Sequence, residues 1–143
     1  MKYPPVTFNG MQARAVGTGF GKQRRTSRYT IWACSILPEH CHLVIARHTY
    51  SAEKMVNLLK GASTRQILSE GRHPLAAFAK PDERPPRMWS ERQWIEYLDS
   101  DEAIENAIRY VEENPLREGK PMQRWSFVTA FAGLDTGHVV YHD

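Results

Sequence analysis

An α+β domain is what this sequence predicts, on three observations. Residues 29–37 and 40–47 are two apolar segments rich in β-branched and aromatic side chains, and only Pro38-Glu39 lies between them. So short a connection permits antiparallel pairing and no crossover. Helical periodicity marks residues 51–70 and the run from Asp101 to Asn114. With 143 residues and 41% hydrophobic content, the chain suffices for one ordinary core, and residues 1–143 are expected to form a single domain.

The elements follow in order. Pro4-Pro5-Val6-Thr7-Phe8 reads as a short extended lead-in that Asn9-Gly10 ends. Residues 11–23 fit an amphipathic helix with Met11, Ala15, Val16 and Phe20 inward, although Gly17, Gly19 and Gly21 lower its intrinsic propensity. Both faces of residues 29–37 are mostly apolar, which predicts a central strand covered on each side. Ser51 is the candidate N-cap of the next helix, Met55, Leu58, Leu59, Ala62, Gln66 and Ile67 follow at helical spacing, and Gly71 closes it. Pro74, Pro81, Pro85 and Pro86 make residues 73–87 an irregular surface loop. A short strand is expected among Trp89, Trp94, Tyr97 and Leu98. Asp99-Ser100-Asp101 caps the late helix, whose buried stripe is Ala103, Ile104, Ala107, Ile108 and Val111, and Pro115 predicts its end near Asn114. Residues 125–131 supply a last strand.

The net charge of +3 is unevenly spread. No acidic residue precedes Glu39, whereas Lys2, Arg14, Lys22, Arg24, Arg25 and Arg28 all fall in that first stretch. Such a distribution suits a polyanion, since lysine and arginine release the counterions condensed on phosphates; a solvated helix face would look the same. Lys22, Arg24, Arg25 and Arg28 are the candidate DNA-phosphate contacts, with Lys60, Arg65 and Arg87 as weaker ones. Trp89 and Trp94 either stack on unpaired bases or pack in the core. No stretch approaches the roughly 20 apolar residues of a membrane span, and no signal peptide is visible, so a soluble cytoplasmic protein is expected. Cys34 and Cys41 stand in adjacent predicted strands without a CxxC spacing, which favours reduced, buried thiols.

Two groups of residues could carry chemistry. Side chains two apart on a strand share a face, so His40 and His42 would stand together, with Cys41 on the other side. Two imidazoles so presented can bind a divalent cation, or can be half-buried histidines bonded to neighbours. Tyr110 and Asn114 are i and i+4 on the late helix. A phenol is a weak nucleophile at neutral pH unless its target is polarised, and a cation beside a phosphodiester polarises it.

The segment Pro38-Glu39-His40-Cys41-His42-Leu43, followed by Tyr110-Val111-Glu112-Glu113-Asn114-Pro115, resembles the two hallmarks of the single-tyrosine HUH transposases, the IS200-like family. The REP-associated tyrosine transposases are the branch it most resembles, over residues 4 to about 131. The resemblance implies a ferredoxin-like α/β sandwich around a central antiparallel sheet, the HUH endonuclease fold. It implies His40, His42 and Asn114 as metal ligands, Mg2+ or Mn2+ as the ion, and Tyr110 as the nucleophile on single-stranded or hairpin DNA. The reaction implied leaves a 5′-phosphotyrosine and a free 3′-hydroxyl. Glu113 competes with Asn114 as a ligand if the helix is rotated, and a homodimer is one expected assembly. Two other readings are a catalytically idle DNA-binding module descended from a transposase and a phosphoesterase that uses water.

Overall fold

A computed structural model describes residues 3–90 and 97–134. The elements run α1 (Gly10–Ser27), β1 (Ile31–Ile36), β2 (Cys41–Ile45), α2 (Ala52–Ser69) and α3 (Asp101–Arg117), with one 3-10 turn, Ala76–Phe78, inside the proline-rich loop. The α+β class expected from the sequence is the one observed. No helix among the described residues is long and apolar enough to cross a membrane.

α1 is longer than its periodicity suggests because Asn9 does not merely end the lead-in. Its side chain accepts from the Gln12 amide while the Gln12 side chain accepts from the Asn9 amide, a reciprocal capping box. The three glycines that weaken the helix on paper are its contact face. Gly19 abuts the backbone of Ala62 and Ser63 in α2, and Gly17 lies under the Trp125 ring, so neither position has room for a methyl group. Arg28 ends the helix in the left-handed conformation, with φ 58°.

β1 and β2 pair antiparallel around Pro38-Glu39, with Ser35 opposite His42 and Ala33 opposite Val44. A register irregularity between Ile31 and Ala33 shifts the side-chain alternation at Trp32. One face of the hairpin, with Ile31, Cys34, Ile36, Cys41, Leu43 and Ile45, packs on Val16 and Phe20 of α1 and on Met55, Leu59 and Ile67 of α2. The other face buries Ala33 and Val44 against Ile104 and Val111 of α3. Each fully buried large side chain contributes about 1.5–3 kcal/mol, so both faces hold the histidine strand firmly between helical layers.

Two expectations are corrected. The helix does not stop at Asn114: it continues through Pro115 to Arg117, because Asn114 and Pro115 are both buried and hold the last turn against the sheet. The turn then closes as a Schellman motif, with Gly119 at φ +73°, the Gly119 amide on Leu116 O and the Lys120 amide on Pro115 O. Residues 125–131 form no ladder. Val128 makes a single parallel bridge to Ile31 and the Thr129 amide bonds Ile31 O at 2.8 Å, while the Gln123 side-chain amide takes the far end of the β1 edge, exchanging two 2.8 Å bonds with Ile36. Trp125 and Phe127 instead stack on each other beside α1. The short strand expected near residues 89–98 falls largely on residues 91–96, outside the described residues, as does Trp94.

Candidate active site

Alternation along β2 turns His42 toward α3 and Cys41 toward α1 and α2. The His40 and His42 rings stand side by side, their centroids 4.9 Å apart. Both cysteines are free thiols, and burial pushes Cys34 well above its ordinary value. Cys34 is buried as expected, whereas Cys41 remains partly accessible.

α3 docks on the same chain's sheet and carries Tyr110 to this face. Its ring meets His42 edge-on at 5.9 Å, and 53% of the residue stays exposed, so the phenol is within reach of a large substrate. Arg117 lies over the Tyr110 ring at 4.6 Å and donates to the Tyr110 carbonyl at 3.1 Å. Glu113, the competing ligand candidate, instead faces Arg117 at 3.6 Å.

Three further observations define the chemistry. Burial, reinforced by the neighbouring His40, lowers the His42 pKa below 6.5, and Glu118 opposes the shift. The imidazole is therefore neutral at neutral pH, the form that ligates metals. His42 Nε2 is buried without a hydrogen-bond partner, as is the hydroxyl of Ser35 across the strand pair. Such orphaned polar atoms are costly unless something else engages them. His40 Nε2 lies 3.0 Å from Glu118 Oε2, a contact that sequence reasoning missed.

Two adjacent imidazoles, one with an orphaned ring nitrogen, fit a divalent cation. Among the described residues, no three His, Cys, Asp or Glu side chains are already set about one point as ligands. Asn114 is buried, 6% exposed, and does not line the groove that His40, His42 and Tyr110 share.

The basic cluster lies elsewhere. Arg24 and Arg25 occupy the last turn of α1, Arg28 caps it, and Lys22 bonds Gln66 of α2 at 2.6 Å. They sit in the layer on the other side of the hairpin from Tyr110. They also lie at its opposite end, where His48 bonds Ser27 O. The structure does not bring them to the histidines. Lys60 and Arg87, two of the weaker candidates, line the same open groove, with Lys60 reaching it from α2 on the Cys41 side of β2. Trp89 packs in the core against Phe8 and Phe20, with its indole N–H on Ser63 Oγ.

No curated protein and no solved structure matches the chain. The model of the family described as "Transposase IS200 like" matches residues 1–114, a stretch that spans the histidine strand and runs to Asn114. A match over most of the chain, on a fold of this class, is sufficient: the protein belongs to the IS200-like transposase family, which places it in transposition-related DNA cleavage and strand transfer.

Proposed function

We propose that the protein nicks single-stranded or hairpin DNA and rejoins it through a 5′-phosphotyrosine at Tyr110, with a divalent cation held at His40 and His42, as in the REP-associated branch. The observation that carries the reading is the meeting of Tyr110 and His42, 5.9 Å apart and edge to face, on elements of one chain. In the step proposed, Tyr110 Oη forms a bond to phosphorus and the bond from phosphorus to the 3′ oxygen breaks. The phenol loses a proton and the departing 3′ oxygen gains one. Rejoining is the reverse, with the bond energy conserved in the phosphotyrosine.

His40 and His42 would hold Mg2+ or Mn2+, which when bound supplies positive charge against the charge developing on the phosphate oxygens. Arg117 steadies the Tyr110 ring from above. Lys60 and Arg87 in the groove suit the flanking phosphates.

Incubation with hairpin-bearing single-stranded DNA and Mn2+ should yield a protein–DNA adduct that survives denaturant. Tyr110→Phe should abolish it. An adduct persisting in Tyr110→Phe sinks the nucleophile assignment, cleavage with no adduct points to a water-using phosphoesterase, and binding without cleavage by metal-loaded protein points to an idle module.

A further inference from the structure

We propose that the first half of α3 carries a subsite for one unpaired nucleobase beside the scissile phosphate, with Tyr97 as its stacking platform and Asp99 and Asn106 reading the base edge; the inference rests on the single-stranded DNA reading above. The local chain dictates the arrangement. Ala103, Asn106, Ala107 and Tyr110 recur at spacings of three and four, so they form one strip along the helix. All four line the groove beside β2. Ser100 caps the helix through its side chain, which keeps Tyr97 and Asp99 within a few residues of that strip. Leu98, between them, packs in the same cluster as Ala107 and Ile108, and Tyr97 and Asp99 line the groove as well.

Each part suits an unpaired base. Tyr97 is 75% exposed, the most open of the large hydrophobic side chains among the described residues. A stacked base would cover that ring, and stacking tolerates any base because each has a π-face. Ala103 and Ala107 project only methyl groups, which leaves a shallow apolar floor along the helix. Asn106 Oδ1 accepts from Arg109 at 3.1 Å, and its NH2 group remains a donor for a ligand. The Asp99 carboxylate offers acceptors alone. Such a group repels phosphates and accepts from base amino groups, so this end of the groove fits a base edge rather than the backbone.

The spacing sets the subsite next to the chemistry. Asn106 precedes Tyr110 by four residues, about 6 Å along the helix axis, so the base of a nucleotide bonded to the attacked phosphate can reach it. His40 and its partner Glu118 lie toward the other end of α3. Phosphate chemistry and base recognition therefore divide along the helix at Tyr110. The acceptor carboxylate also sets a preference, because adenine, cytosine and guanine carry an exocyclic amino group and thymine carries none. Tyr97, Asp99 and Asn106 are all exposed, so replacing them should leave the fold intact.

The test is binding of fluorescein-labelled single-stranded homopolymers of cytosine, adenine and thymine, each about 12 nucleotides long. It is run on the full-length Tyr110→Phe protein in EDTA, so that neither metal nor cleavage enters, and thermal unfolding is recorded for every variant. This parent should prefer cytosine and adenine to thymine about fivefold or more. Adding Tyr97→Ala should weaken binding of all three about fivefold or more, and Tyr97→Phe should restore it. Asp99→Ala and Asn106→Ala should bring the base ratio toward one with unchanged unfolding midpoints. Glu105→Gln, which removes an exposed charge from the same helix, should move the three affinities together and keep the ratio. Parental affinity in Tyr97→Ala overturns the inference, as does a parent without preference, a ratio untouched by both Asp99→Ala and Asn106→Ala, or a ratio lost in Glu105→Gln. If the ratio moves as expected but the wild type forms no adduct, strand transfer falls and the subsite stands. If the parent binds none of the strands, both fall.

Discussion

Gly19→Ala sets two effects of known size against each other. In an isolated helix the change is favourable by about 1 kcal/mol, because alanine loses less backbone entropy. In this structure the new Cβ would lie 2.5 Å from Ser63 Cα and 2.8 Å from the Ala62 carbonyl oxygen. Both are backbone atoms of α2, so no side chain can swing away. Restoring ordinary contact, about 3.5–4.0 Å, requires the two helices to part by roughly 1 Å, which forfeits a quarter to a half of the dispersion energy along the seam. Overpacking of this kind costs about 1–3 kcal/mol, occasionally more. With a mid-range overpacking cost of about 2 kcal/mol, the net expectation is a destabilisation of about 1 kcal/mol. Gly61→Ala is the internal control, since its Cβ would meet only the end of the Arg65 side chain, at 3.4 Å. It should stabilise by up to about 1 kcal/mol. Urea unfolding followed by circular dichroism should therefore move the two midpoints in opposite directions, and thermal midpoints should differ by roughly 6–10 °C. A Gly19→Ala protein as stable as the wild type, or more so, would refute the close seam between α1 and α2.

Three other outcomes are expected. His73 is buried, its pKa is lowered by burial, and its Nδ1 accepts from the Leu75 amide at 3.0 Å. The unfolded chain therefore binds this proton first, so its contribution is full above about pH 6.5 and is lost as pH falls toward the lower folded value. His42 acts with the same sign. His73→Asn should flatten, without abolishing, the fall in urea midpoint over that acid range, and an unchanged slope would assign the effect elsewhere. Arg117→Leu removes the cation from the Tyr110 ring and should slow adduct formation about two- to fivefold in single-turnover assays with the fold intact; a wild-type rate would remove Arg117 from the site. Replacing Lys60 and Arg87 by alanine should lower the salt dependence of single-stranded DNA binding by about 0.7 per lost phosphate contact. Arg25→Ala with Arg28→Ala should change it less, and the reverse ranking would place the DNA path on the α1 side.

What was legible in the sequence was whatever local periodicity decides. The hairpin, α2 and the capped start of α3 all follow from spacing and caps, and so does the side-by-side placement of His40 and His42. The misses have tertiary causes. Gly17 and Gly19 read as weak helix residues because their value lies in what approaches them, a ring and another helix's backbone. The edge of β1 is satisfied by the Gln123 amide and one Thr129 bond, so the expected final strand shrinks to a bridge. Pro115 was the costlier misreading. Treating it as the end of α3 hid the last turn, from whose cap Glu118 reaches His40. The placement of Lys22, Arg24, Arg25 and Arg28 was not legible at all, since charge clustering along a sequence says nothing of which layer a helix joins.

α3 packs on the sheet of its own chain, and that has a consequence for complementation. On the proposed chemistry, nucleophile and imidazoles travel on a single polypeptide. Two defective copies, one carrying Tyr110→Phe and the other His42→Ala, hold no whole site between them, so mixing them should restore no adduct.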